Sequence, residues 1–125
     1  LLAGVAYLKS AGHQPLVVVG HSFGGAVVIA AGANSPHIKG VVALSPQTYG
    51  AGMAGQVSPR KLLVVHGKAD TRLPFACGQQ IYDLANEPKE LVLYEGAEHR
   101  LEECRDDLEE LLGKWIPETL AAEIT

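Results

Sequence analysis

The chain has 125 residues, of which 47% are hydrophobic and 19% charged, and its formal net charge is −4. These values describe one globular domain and exclude a disordered chain. An acidic balance offers no basic face for nucleic acid, and no apolar run approaches the roughly 20 residues of a membrane span. We therefore expect neither nucleic acid nor a membrane as a partner.

The apolar runs of the sequence are short and continuous, which is typical of strands buried on both faces of a parallel sheet. Helical patterns alternate with them, so we expect a single α/β domain over residues 1–125, with a mostly parallel sheet of about four strands and flanking helices. The predicted strands cover residues 16–19, 41–44, 62–65 and 91–94, and the predicted helices cover residues 1–11, 25–33, 74–86 and 101–116.

The last predicted helix has an acidic face, which we interpret as a solvated surface and not as a metal site. No cofactor is expected. Cys77 and Cys104 are isolated, with neither metal-ligand nor redox spacing, so they predict free thiols and favour a reducing, cytoplasmic location. The acidic residues are Glu102, Glu103, Asp106, Asp107 and Glu110.

A Gly-x-Ser-x-Gly pattern over residues 20–24 separates the first apolar run from a helix of small residues. Strand, sharp turn and helix in that order place the hydroxyl of Ser22 at the tip of the turn. Gly20 and Gly24 are expected there because a Cβ at either position would collide across so tight a turn. The pattern alone is a weak signal, and its position between strand and helix is what favours a nucleophilic serine.

A nucleophilic serine needs a base, usually a histidine that is held by a carboxylate. Asp70 follows the third predicted strand and His99 follows the fourth, as Ser22 follows the first. Because the carboxyl ends of parallel strands share one edge of a sheet, we expect the three residues to converge. The alternatives are a turn or helix-capping role for Asp70 and a plain loop role for His99.

The other histidines near these motifs are weaker candidates for the base. Adjacent side chains diverge at a sharp turn, so we expect His21 to pack or to line the entrance to the site, away from the hydroxyl of Ser22. His66, at a strand end, is expected to be a hydrogen-bonded structural residue.

Three motifs resemble those of the α/β-hydrolase family. Residues 20–25 (Gly-His-Ser-Phe-Gly-Gly) are similar to its nucleophile elbow, residues 66–70 to its His-Gly-x-x-Asp acid turn, and residues 96–99 to its histidine loop. The resemblance implies the second half of that fold, without its N-terminal strands. It also implies a serine hydrolase that forms an acyl-enzyme from an ester, thioester or amide.

In that mechanism Ser22 attacks the carbonyl, His99 takes its proton, and Asp70 orients His99. The backbone N–H of Phe23 would be one oxyanion-hole donor. The family takes its second donor from a loop after the third strand, which the sequence does not supply. The edge of the strand at residues 16–19 would then be open, which predicts association through that edge.

The substrate is expected to be a small ester or acyl compound. The segment between Ser22 and Asp70 is too short for a large helical lid, so only residues 45–60 could cover the site. This favours a compact carboxylesterase, with Tyr49, Met53 and His21 as substrate-binding residues. A surface excursion with no role in binding is the alternative for that loop.

Two other functions remain open at this point. One is a non-catalytic α/β-hydrolase-like module for binding or assembly, or an inactive fragment that lacks half of the oxyanion hole. The other is a nucleotide-binding domain, but residues 20–25 fit neither Gly-x-Gly-x-x-Gly nor a Walker loop.

Overall fold

The architecture, taken from a computed structural model that describes residues 7, 11–12 and 15–122, is a four-stranded parallel sheet. Its strands lie in the order β1-β2-β3-β4, so each pairs with its neighbour along the chain. This confirms the predicted α/β fold class. The strands are longer than the apolar runs: β1 is Leu16–His21, β2 is Ile38–Leu44, β3 is Lys61–Gly67 and β4 is Lys89–Tyr94.

Helices cover both faces of the sheet. The helices are α1 (Phe23–Asn34), α2 (Phe75–Leu84) and α3 (Arg105–Ala121). Side chains of β2 and β3 alternate between two buried clusters, one shared with α1 and α2 and the other shared with α3. Both faces of these strands are therefore buried, as continuous apolar runs predict. The helix predicted over residues 1–11 lies outside the described residues, apart from Tyr7 and Ala11.

The last helix differs from its predicted bounds at both ends. Residues Glu102–Cys104 form a 3₁₀ turn, and α3 then continues past Pro117. A proline inside a helix cannot donate to the carbonyl four residues earlier, and it costs roughly 3 kcal/mol. The helix continues because Thr119, beyond the proline, is buried beside Gly40 of β2. Tertiary packing thus overrides the local signal to stop.

The loop of residues 45–60 is packed between α1 and α2. Its only regular element is the 3₁₀ turn Ala54–Gln56. A Cβ on Gly25 of α1 would lie 2.9 Å from Cβ of Pro46, so the start of the loop touches the first turn of that helix. At its other end, the side chain of Asn86 donates to the carbonyl of Gly55 at 2.8 Å. These contacts argue against a loose surface excursion.

Within the described part of the chain, none of the helices has the length and apolar character to span a bilayer.

Candidate active site

Ser22 occupies a strained turn between β1 and α1. Its φ is 58° and its ψ is −117°, a conformation that non-glycine residues rarely adopt. A Cβ on Gly20 would collide with the backbone oxygen of Gly24, which confirms the role predicted for Gly20. The same prediction for Gly24 is wrong, because a Cβ there would meet nothing within 4 Å. Gly24 is the second residue of α1, and its position has open space around it.

A chain of hydrogen bonds joins three strand ends. The hydroxyl of Ser22 donates to Nε2 of His99, with 3.0 Å between the heavy atoms. Nδ1 of His99 donates in turn to Oδ2 of Asp70 at 2.8 Å. The structure therefore brings together Ser22 after β1, Asp70 after β3 and His99 after β4. We call these three residues the Ser–His–Asp array.

Asp70 uses its two carboxylate oxygens for different partners. Oδ1 accepts the backbone N–H groups of Arg72 and Leu73, each at 2.9 Å, and Oδ2 faces His99. Burial alone would raise the pKa of Asp70, but the hydrogen bonds from Leu73, His99 and Arg72 outweigh it and lower that pKa. The ionised side chain of Asp70 therefore both stabilises its own turn, through Oδ1, and accepts the hydrogen bond from His99, through Oδ2.

The turn that carries Asp70 lies directly against the loop that carries His99. A Cβ on Gly67 would collide with the backbone carbonyl of Ala97, so only glycine allows this approach. The backbone N–H of Ala69 donates to the same carbonyl at 3.0 Å. Farther out, the backbone N–H and hydroxyl of Thr71 donate to the carboxylate of Glu98 at 2.8 and 2.7 Å, and they lower the pKa of Glu98.

Two side chains from other strand ends hold the backbone carbonyl of His99. Nε2 of His21 and Oγ of Ser45 each donate to it at 2.8 Å. The imidazole of His21 also lies beside that of His99, with 4.8 Å between ring centroids. The hydrogen bond of His21 thus goes to the histidine loop. Sequence reasoning missed Ser45, whose signal is structural: it is wholly buried with a φ of 46°.

Phe23, predicted as an oxyanion-hole donor, and Tyr49, predicted to bind substrate, are both exposed. Phe23 is 64% exposed, and as the first residue of α1 its N–H has no acceptor within the helix. Tyr49 is 84% exposed, next to Gly50, whose Cβ position is 3.6 Å from Cβ of Ala26 in the first turn of α1. Tyr49 thus lies near the carboxyl ends of the strands, as Ser22 does.

Met53, predicted to bind substrate, lies near the C-terminal end of α1, whereas Ser22 precedes the N-terminal end. Its sulfur is 3.5 Å from Nδ2 of Asn34, the last residue of that helix. A helix of 12 residues is about 18 Å long. This separation argues against Met53 as part of an acyl pocket around Ser22.

Among the residues that the structure describes, no three His, Cys, Asp or Glu side chains are grouped so that they could hold a metal ion. The acidic residues predicted to form a solvated surface are all exposed. They lie in the 3₁₀ turn before α3 and on the outer face of α3.

The fold and the array coincide with a match to a known family. The model of the Alpha/beta hydrolase family (Abhydrolase_6) matches residues 1–122. The chain belongs to this family.

Solved structures of similar fold include several named hydrolases. The esterase domain of a Rhodothermus marinus protein superposes with a TM-score of 0.79 at 23% identity, over 90% of this chain and 64% of that one. A monoacylglycerol lipase of Paleococcus ferrophilus gives 0.83 at 16% identity, over 94% and 74%. Est1E of Butyrivibrio proteoclasticus gives 0.81 at 19% identity, over 97% and 68%. At such identities the likeness establishes the fold.

By sequence, the Uncharacterized protein YfhR of Escherichia coli (strain K12) is 41% identical over 63 residues, which are 50% of this chain and 22% of that protein. The matched segment thus spans about a fifth of this curated relative.

Proposed function

We propose that the protein is a serine hydrolase that cleaves a carboxylic ester through an acyl-enzyme on Ser22. The observation that carries the proposal is the continuous hydrogen-bonded array, in which hydroxyl, imidazole and carboxylate are joined at 3.0 and 2.8 Å. Reach of this kind between nucleophile, base and orienting group is the geometric requirement for nucleophilic catalysis. Membership of a hydrolase family supports the proposal.

In the first half of the reaction, Nε2 of His99 takes the proton of the Ser22 hydroxyl while Oγ bonds to the carbonyl carbon of the ester. The tetrahedral intermediate then expels the alcohol, which leaves with the proton from His99, and the acyl group stays on Ser22. Asp70 keeps Nδ1 of His99 protonated and stabilises the imidazolium that forms.

In the second half, His99 deprotonates a water molecule, whose oxygen attacks the acyl carbon. The bond from that carbon to Oγ of Ser22 then breaks, His99 returns the proton to Oγ, and the carboxylic acid is released. We propose that the N–H of Phe23, at the start of α1, donates to the oxyanion in both halves. Loss of one such donor costs roughly 3 kcal/mol of transition-state stabilisation in comparable enzymes.

The substrate class follows from the surroundings of Ser22. Two exposed aromatic residues are near Ser22 in the chain or the fold: Phe23 follows it directly, and Tyr49 is in the part of the loop that contacts the first turn of α1. We therefore propose a small ester with an apolar acyl or alcohol group. The esterases and the lipase of similar fold support this class, while thioesters and amides are the chemical alternatives.

The test is hydrolysis of p-nitrophenyl acetate, butyrate and octanoate by the protein expressed from its complete gene. We expect turnover, with kcat/KM higher for the shorter chains, and we expect Ser22→Ala to reduce it to the buffer rate. Ser58→Ala is the matched control, because Ser58 bonds to the carbonyl of Glu87 just before β4, at the opposite edge of the sheet.

No turnover by the wild-type protein, together with a stable complex on size-exclusion chromatography, would favour the non-catalytic binding or assembly module instead. Turnover that survives Ser22→Ala would also overturn the proposal.

A further inference from the structure

His66 is a buried histidine that the proposed reaction does not use. It lies at the end of β3, four residues before Asp70, and its side chain has no exposed surface. Burying an imidazole without a role is costly, since its two nitrogens both need partners. Its contacts show what it does in the fold.

Nε2 of His66 lies between two acceptors of the acid turn. It is 2.8 Å from the backbone carbonyl of Leu73 and 3.2 Å from Oδ2 of Asp70. Because a carbonyl only accepts, Nε2 must carry the proton and donate it. Oδ2 is also the atom that receives the hydrogen bond from His99 at 2.8 Å. One carboxylate oxygen therefore lies between two imidazoles, one on each side.

The surroundings of the other nitrogen of His66 determine the tautomer of the ring. Nδ1 has no hydrogen-bond partner among the described residues, and a Cβ on Gly78 of α2 would approach it to 2.8 Å. A proton on Nδ1 would be buried without an acceptor, so the surroundings select the Nε2–H tautomer. Helix α2 closes the space on one side of the ring, and the acid turn closes the space around Nε2.

We propose that His66 is a positioning residue, which holds Oδ2 of Asp70 in line with Nδ1 of His99. It does so directly through the 3.2 Å contact and indirectly through Leu73, whose own N–H binds Oδ1 of Asp70 at 2.9 Å. The consequence for catalysis depends on the proposed function, whereas the consequence for the bond between Asp70 and His99 does not. The carboxylate of Glu98 also binds the acid turn, through the backbone N–H and the hydroxyl of Thr71.

The catalytic test compares two substitutions of His66 in the complete protein. His66→Leu removes the hydrogen bond to the carbonyl of Leu73 and the 3.2 Å contact with Oδ2 of Asp70. We expect kcat to fall about 10- to 100-fold with KM unchanged within about twofold, since a small misplacement of a supporting group has effects of this size. His66→Gln keeps an N–H near the position of Nε2, and we expect it to retain most of the activity.

A substitution in α2 tests the position of the His66 ring without changing the ring itself. Gly78→Ala pushes a Cβ against Nδ1 of His66 and should lower kcat in the same way. Gly113→Ala is the matched control, because this exposed glycine of α3 has nothing within 4 Å of its Cβ position. Equal kcat values for all four variants would overturn the proposal. A loss in His66→Gln as large as that in His66→Leu would overturn it too.

Proton NMR separates this proposal from the proposed function. The Nδ1 proton of His99, held by Asp70, should give a low-field resonance in the wild-type protein, in Gly113→Ala and in His66→Gln. We expect it to broaden or move upfield in His66→Leu. An unchanged resonance in His66→Leu contradicts the positioning role whether or not the protein hydrolyses esters. A shifted resonance in a protein that hydrolyses no ester supports the role and contradicts only the proposed function.

Discussion

Ser45 shows how one buried hydroxyl stabilises the site from outside the Ser–His–Asp array. It follows β2, its φ is 46°, and its Oγ donates to the carbonyl of His99 at 2.8 Å. Its own N–H donates to the carbonyl of Val65 at 2.7 Å. A strained non-glycine residue at a site is a reason to look for function, and here the strain aims the hydroxyl at the histidine loop.

Substitution of Ser45 separates the hydroxyl from the backbone strain. Both Ser45→Ala and Ser45→Gly lose the bond to His99, so we expect each to lower kcat by about the same factor, near fivefold for a bond worth about 1 kcal/mol. Glycine relieves the positive φ, so Ser45→Gly should be more stable to urea than Ser45→Ala by about 1 kcal/mol. If kcat instead follows stability, so that the glycine variant recovers activity, the hydroxyl has no positioning role.

Asp70 should make stability depend on pH in acid. Its native pKa is lowered, so the native state binds the proton more weakly than the unfolded chain does. The stabilisation is then complete above the unfolded value of about 3.9 and is lost as the pH falls through the native value. Urea unfolding of the wild type and of Asp70→Asn, measured from about pH 6 to about pH 2, should give curves that converge in acid. Parallel curves would contradict this account of the carboxylate.

At the scale of elements, the contact between β2 and α3 depends on one glycine. A Cβ on Gly40 would lie 2.7 Å from Thr119 and 3.0 Å from Trp115, both buried side chains of α3. We expect Gly40→Ala to lower the free energy of unfolding by about 1–3 kcal/mol, as overpacking does. Gly113→Ala, on the same helix but in open space, should raise it by about 0.5–1 kcal/mol. Urea denaturation compares the two, and equal effects would rule out the packing explanation.

The same contact shows what the sequence could and could not predict about the elements. Apolar runs locate all four strands, since strands buried on both faces have no polar positions to interrupt them. They miss the start of β2 because Lys39 and Gly40 are not apolar, and Gly40 is required by a helix far along the chain. Pro117 likewise predicts that the last helix ends before it, but tertiary packing allows α3 to continue to Ala121.

The prediction of the site from sequence is limited in the same way, because some of its contacts are set by the tertiary fold. Strand-end positions are enough to predict that Ser22, Asp70 and His99 converge, because parallel topology brings those ends together. No local pattern reveals that Ser45 reaches the carbonyl of His99 or that His66 borders Oδ2 of Asp70. The first contact joins two separate strand ends, and the second depends on how the turn of residues 66–70 folds. The position of Met53 beside Asn34 is likewise set by the fold, since the length of α1 separates it from Ser22.

At the scale of the whole molecule, the sheet has an edge that the described residues leave unpaired. β1 pairs with β2, and no other described strand lies on its far side. Val19 of this strand is 45% exposed. An apolar edge of this kind is a template for pairing with another strand, and we propose that the 125-residue chain associates through it.

Light scattering after size-exclusion chromatography tests this edge. We expect the average mass of the 125-residue chain to rise with concentration, and Val19→Lys to reduce that rise, because charge on an edge strand opposes pairing. Leu84→Lys is the control, since Leu84 is also an exposed apolar residue, at the end of α2 and away from β1. A monomer at every concentration, or an equal effect of both substitutions, would contradict the proposal.

The most direct measurement of the central claim is covalent labelling of Ser22. The protein expressed from its complete gene is treated with a fluorophosphonate probe, and the modified peptide is located by mass spectrometry. We predict one label per chain on Oγ of Ser22, slower labelling in His99→Gln, and none in Ser22→Ala. An unlabelled wild-type protein, or a label that survives Ser22→Ala, would contradict the claim that Ser22 is the nucleophile.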